Sequence, residues 1–176
     1  MLSGSRQPRY QSKLLKGTHS DIVRRMYRSI VARRVRKAWA HLDRRDPGYV
    51  IDQLAPGFEH SFAGDHAMGG TRRSRESLAA WFERVFRLFP AVRFEVRDVL
   101  VRGMPWDTRA VALVHVSAGE VDGVHYENEL AQTIHLRWGR IVRIHTLEDT
   151  QKLAGALARL HAAGEAEAVA EPIVGT

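Results

Sequence analysis

The hydrophobic repeat of this chain changes period once, after Pro90, from about 3.6 residues to about 2. Downstream of it, "VRFEVRDVLVRGM", "TRAVALVHVSAGEVDG", "VHYENELAQTIHLRW" and "RIVRIHTLED" alternate as strands do. Their connections are "MPWD", the "AGEVDG" segment and "WGR". A parallel crossover needs about a dozen residues or more, so these four strands are predicted to pair as antiparallel hairpins.

Upstream, the spacing is mostly helical. A long helix is predicted from Ser20-Asp21, with Ile22, Met26, Ile30, Val31, Val35, Ala38, Trp39 and Leu42 read as one apolar stripe. Pro47 ends it by disfavouring helical geometry at Asp46. A short helix, "YVIDQLA", follows, and Pro56-Gly57 breaks it. "FEHSF" reads as a strand, "AGDHAMGGTRR" as a loop, and "SRESLAAWFERVFRLF" as a helix capped by Ser74. "TQKLAGALARLHAAG" is a C-terminal helix. This order predicts an α+β fold: a cone-shaped, curved antiparallel sheet wrapped around the long N-terminal helix, its inward side chains lining a pocket. The expected organisation is a basic arm without sustained structure over residues 1–19, one domain over 20–163 and a flexible tail over 164–176.

Charge is distributed unevenly. Residues 1–45 hold 13 Lys/Arg against two acids, Asp21 and Asp43, whereas residues 46–176 hold 14 against 18. A basic arm of this kind can meet nucleic acid or an anionic membrane, or simply be solvated. No aromatic residues interleave with it as a nucleic-acid groove would use them. No apolar run approaches the roughly 18 residues of a membrane span. No apolar core of a secretory signal is present at the N-terminus. The chain has no cysteine, which excludes disulfides, thiolate metal sites and cysteine nucleophiles and is compatible with a reducing cytoplasm.

"HSFAGDHAMGG", residues 60–70, concentrates His60, Asp65, His66 and three glycines. It lacks the lysine and the strand–helix context of a phosphate loop. Neither HExxH nor GxSxG occurs, so no metal, cofactor or serine triad is predicted. His60 lies between Phe58 and Phe62 on an apolar strand face, where a histidine is either a core residue or a pocket group. On residues 124–138, one face carries Tyr126, Asn128, Leu130, Gln132, Ile134, Leu136 and Trp138, a mixture suited to a pocket wall. The other face, with His125, Glu127, Glu129 and His135, is charged. His115 alternates with Val111 and Leu113 and points either into the core or into a dimer interface. On the last strand His145 shares a face with Arg143 and Leu147 and could act as a base titrating near neutrality. Asp149, about 13 Å further along an ideal strand, is too far to pair with it. Asp43, at the end of the long helix, is the alternative partner.

The segments "FAGDHAMGG", "SRESLAAWFERVFRLFPAVRFEV", "VRGMPWDTRAVA", "DGVHYENELAQTIHLRWGRIVRIH" and "LEDTQKL" resemble the SnoaL-like group of the nuclear-transport-factor-2-like superfamily, over about residues 22–160. That group includes polyketide cyclases and is related to ketosteroid isomerases. The resemblance implies a small hydrophobic ligand, lyase, isomerase or cyclase chemistry, and a homodimer formed through the outer sheet face. Ketosteroid isomerases carry a carboxylate base near the end of the first strand, and here Phe62 stands there. The cyclases use a histidine–aspartate pair on late strands, which directs attention to His135, His145 and Asp149. The expected catalytic set is His60 or His145, with Asp43 or Tyr126 as partner. The expected ligand-binding set is Trp39, Phe62, His66, Trp81, His115, Tyr126, Asn128 and Gln132. A non-catalytic binding or dimerisation module, with its arm on a partner or nucleic acid, is the alternative.

Overall fold

A computed structural model describes residues 19–175 with the exception of residue 122. Apart from His19, the predicted basic arm lies outside the described residues. In chain order the elements are α1 (His19–Asp43), α2 (Gly48–Ile51), β1 (Leu54–Phe62), β2 (Gly70–Arg72), α3 (Arg75–Leu88), β3 (Arg93–Met104), β4 (Asp107–Val121), β5 (Val124–Arg137), β6 (Arg140–Glu148) and α4 (Thr150–Ala162). The strands form one curved sheet in the order β2-β1-β6-β5-β4-β3. Its two end strands do not pair, so it remains unclosed. The α+β architecture read from the sequence is the one observed.

The four late strands pair as antiparallel neighbours, as their short connections require. β1 departs from that pattern by joining β6 in parallel, His60 opposite Ile144 and Phe62 opposite Thr146. It also begins at Leu54, earlier than expected. Pro56-Gly57 does not break the chain but sits in an irregularity of register between Leu54 and Glu59, with Gly57 at φ +67°. Part of the predicted loop is a strand too: β2 pairs with β1, Arg72 opposite His60.

Val31, Val35, Trp39 and Leu42 of α1 are buried, and the helix lies along β3. The Phe94 amide donates to Asp43 Oδ1 at 2.9 Å, and Tyr27 Oη lies 2.6 Å from Thr108 Oγ1. The single stripe expected for α1 proves to be two. Ile22, Met26 and Ile30 are 56%, 59% and 55% exposed. The step from Ile30 to Val31 is one residue, which turns the side chain about 100° around the helix, so the earlier residues cannot share the buried face.

α3 starts at Ser74, whose Oγ accepts from the Ser77 amide at 3.1 Å. α4 starts at Asp149, which accepts from the amides of Gln151 and Lys152 at 3.1 and 3.2 Å. Beyond α4, the expectation of a flexible tail meets a held segment. Ala168 is buried, Arg84 donates to the Glu171 carbonyl at 2.9 Å, and Arg87 pairs with Glu167 at 2.7 Å. The Arg73 amide donates to the Gly175 carbonyl at 3.2 Å. The residues that hold this segment, Arg84 and Arg87 on α3 and Arg73 just after β2, are far away in sequence.

Asp149→Ala should lower unfolding free energy by about 1 kcal/mol, the usual worth of an N-cap. A denaturant titration with an unchanged slope would check this, and an unchanged midpoint would show that the cap contributes nothing.

Candidate functional site

The concave sheet face, α1, α3 and the start of α4 enclose a cavity of about 110 Å³. Alternation decides what its sheet wall presents. Tyr126, Leu130, Gln132 and Ile134 of β5 face inwards, opposite Ile144, Thr146 and Glu148 of β6. The pairing slips between His135 and Leu136, whose partners are Arg143 and Ile141. Val142 is thus an extra residue, a β-bulge that lets Ile141 face inwards together with Ile144.

The wall is apolar apart from a few polar side chains. Gln132 Nε2 donates to Thr146 Oγ1 at 3.1 Å. Glu148 borders the same cavity, and its buried Oε1 has no hydrogen-bond partner among the described residues. Burial, reinforced by the neighbouring Asp149 charge, pushes the Glu148 carboxyl up to about 8. It therefore holds its proton at neutral pH. Tyr126 is raised by burial as well, stacks on Phe89 with ring centroids 5.4 Å apart, and accepts from Asn128 Nδ2 at 3.1 Å.

His60 is buried beside Trp81, ring centroids 5.0 Å apart, and its Nδ1 has no partner among the described residues. Burial, with the positive Arg72 nearby and a smaller effect of His145, drives the imidazole down to about 3, so it is neutral. Arg72 is completely buried, its guanidinium 5.0 Å from the Trp81 ring centre. It donates to the Met68 and Gly70 carbonyls, both at 3.1 Å, and to the Gly69 carbonyl. Burial lowers Arg72 to about 10, with Arg84 adding to the effect, which leaves it charged at neutral pH. His60 and Glu148 are not a contact pair. His60 is level with Ile144, four residues from Glu148 on β6, about 13 Å along a strand.

The residues expected to form a catalytic set are not brought together. His145 is on the opposite face of β6 from Thr146, with Nδ1 2.7 Å from Ser61 Oγ. Asp43 accepts from Phe94 and pairs with Arg93 at 3.1 Å. His115 is on the outer sheet face, its Nδ1 2.8 Å from Glu129 Oε1. His135 is bound to Asp107 at 2.7 Å, and Asp149 caps α4. Trp138, placed with the inward face by simple alternation, sits in the β5–β6 turn at φ +49° and is 73% exposed.

Trp39, Phe62, Trp81, Tyr126, Gln132 and His60 do border the cavity. Asn128 is buried, but its amide is taken by Tyr126 and the Asp149 carbonyl. His66 packs edge-on to Phe62 over the Gly64 backbone, where a Cβ would come within 2.2 Å of its ring. Glu148 is the residue the sequence reading missed. Its signal was present: it alternates with Ile144 and Thr146, whereas His145 alternates with Arg143. Among the described residues no three His, Asp or Glu side chains are grouped as metal ligands.

A family model for the SnoaL-like domain matches residues 35–144, more than half of the chain. The protein belongs to that family. Solved structures agree on the fold. PrhC from Penicillium brasilianum is 15% identical with a TM-score of 0.68, over 81% of this chain and 95% of that one. TerC, co-crystallised with polyporic acid, is 16% identical with a TM-score of 0.61, over 70% and 95%. A nuclear-transport-factor-2-like protein of unknown function from Burkholderia pseudomallei is 20% identical with a TM-score of 0.61, over 70% and 94%. No curated protein matches the sequence.

Glu148 also makes stability depend on pH. Its folded value, about 8, lies above its ordinary value of 4.5, so its favourable contribution is complete below 4.5 and is lost as pH rises towards 8. Glu148→Gln should remove that loss. Thermal unfolding should show the variant gaining on the wild type between about pH 5 and 8, and a constant difference across that range would contradict the assignment.

Proposed function

We propose that the cavity binds a small, largely apolar molecule and that Glu148 exchanges a proton with it, in a lyase, isomerase or cyclase type of reaction. The observation that carries this reading is a buried carboxyl with an unpartnered oxygen on the wall of an apolar cavity, titrating near neutrality. A group with a value close to the working pH can both give and take a proton. Gln132 and Thr146 are placed to orient a polar atom of the ligand, while Trp39, Phe62 and Trp81 supply apolar contact. Neutral His60 serves as a hydrogen-bonding group, not as a strong base. The small-ligand reading is supported by the family and by TerC, a protein of similar fold co-crystallised with polyporic acid.

Hydrophobic ketones and enols that bind the protein should take up deuterium from deuterium oxide in its presence. With Glu148→Gln, that uptake should slow by about a hundredfold or more while binding persists. Equal rates for the two proteins would remove Glu148 from the chemistry and leave a binding module.

One observation favours an additional role in dimerisation. Leu113, Ala131 and Leu147 are cross-strand neighbours on the outer sheet face, with Leu113 39% and Leu147 47% exposed. Such a row fits a homodimer through that face. Leu147→Glu should shift a dimer to monomer in sedimentation velocity, and a wild type monomeric at all concentrations would refute the interface.

A further inference from the structure

Between the first half of α1 and β3 runs an open groove of about 560 Å³, which shares no lining residue with the cavity. Val99 and Val101 of β3 form its floor, and Arg24, Arg25 and Arg28 line it from the helix. All three arginines are exposed. Asp21 is the one carboxylate that borders the groove among the described residues. The groove is therefore positive, with an aliphatic floor.

β3 is an end strand of the sheet, with β4 on one side and no strand on the other. α1 covers the first part of that edge. The Phe94 amide donates to Asp43 at 2.9 Å, and the Val96 carbonyl accepts from Arg36 Nη1 at 3.2 Å. The register then slips by one residue. Val96 faces Val114 whereas Asp98 faces Leu113, so Arg97 is a bulge. Beyond the bulge, the backbone groups that point away from β4 pass from even to odd positions. The Val99 amide accordingly donates to Asp98 Oδ1 at 2.7 Å instead of to β4. Alternation gives the Val101 amide and carbonyl the same direction. The residues whose side chains floor the groove thus also present its backbone edge.

We propose that this groove takes an extended acidic segment of a partner protein, which adds as a strand to β3. Its backbone pairs with Val99 and Val101, and its carboxylates, at alternate positions, meet Arg24, Arg25 and Arg28. An unpaired strand edge is a ready template for another chain. Main-chain hydrogen bonds then give affinity, and alternate side chains give selectivity. A guanidinium matches a carboxylate with two parallel hydrogen bonds. Other occupants fit less well. Residues 1–18 of this chain hold Arg6, Arg9, Lys13 and Lys16 and no acid, so they meet the groove with like charge. The C-terminal segment is held beside β2, at the opposite end of the sheet. A single-stranded nucleic acid finds no aromatic ring to stack on among the lining residues.

A fluorescent peptide of alternating glutamate and valine, added to the full chain, tests the proposal. Fluorescence anisotropy should show binding that salt weakens, and the peptide with lysine in place of glutamate should not bind. Arg24→Glu combined with Arg28→Glu should lower the affinity by about tenfold or more. Both side chains are exposed, so the unfolding temperature should barely change and lost binding is not lost folding. N-methylation of one alternate set of peptide amides should abolish binding, and N-methylation of the other set should spare it, because only one set faces β3. Four results would overturn the proposal: no binding of the acidic peptide, binding indifferent to the arginine reversals, the two methylated peptides behaving alike, or a single-stranded oligonucleotide that binds through these arginines more tightly than the peptide.

Discussion

Which way β6 faces decides what the cavity contains. A strand alternates strictly, so a shift of one residue exchanges its inner and outer sets. Here the bulge at Val142 turns Ile141 inwards while Ile144, Thr146 and Glu148 keep the concave side. That choice puts a carboxyl into an apolar space and sends His145 to the other face, against Ser61. The same strand pairs with β1 in parallel, which brings His60 and Phe62 to the cavity wall. Both the chemical and the apolar sides of the pocket therefore depend on the register of one strand.

Burial acts on the two ionisable groups of the wall in opposite senses with one result. It raises the acid Glu148 and lowers the base His60, so both are neutral near pH 7. The fixed charge nearby is Arg72, which is buried and balanced by no ion pair to a carboxylate among the described residues. Three carbonyls from residues 68–70 and the face of Trp81 stabilise it instead. The guanidinium thereby ties down the loop between β1 and β2 and helps to keep His60 unprotonated. Arg84 plays a similar part on the neighbouring helix, joining the Ala67 carbonyl to the C-terminal segment.

The family assignment and the cavity speak to different questions. Solved relatives at 15–20% identity share the curved sheet and the long helix, and this is a statement about fold. The site has to be argued from its own side chains. The polar groups on its wall are few, and Glu148 is the one carboxyl that lines it among the described residues. The charge asymmetry of the chain lies elsewhere: in α1, exposed Arg24, Arg25 and Arg28 line the groove against Val99 and Val101 of β3.

Local pattern alone determined the helices, the four antiparallel strands and, Trp138 excepted, the inward set on β5, because periodicity and short turns are properties of neighbouring residues. It also marked Trp39, Phe62, Trp81, Tyr126 and Gln132 as wall residues. Pairing between distant segments was not legible. The parallel β1–β6 contact, the strand at residues 70–72 and the anchoring of the C-terminal segment all join residues that no local rule connects. The split of the α1 stripe was visible in the step from Ile30 to Val31, but only the folded structure left the first part of it exposed. Glu148 shows the limit most plainly. Alternation placed it with Ile144 and Thr146, yet only the folded sheet determined that this face is buried, and burial is what turns an ordinary glutamate into a neutral acid.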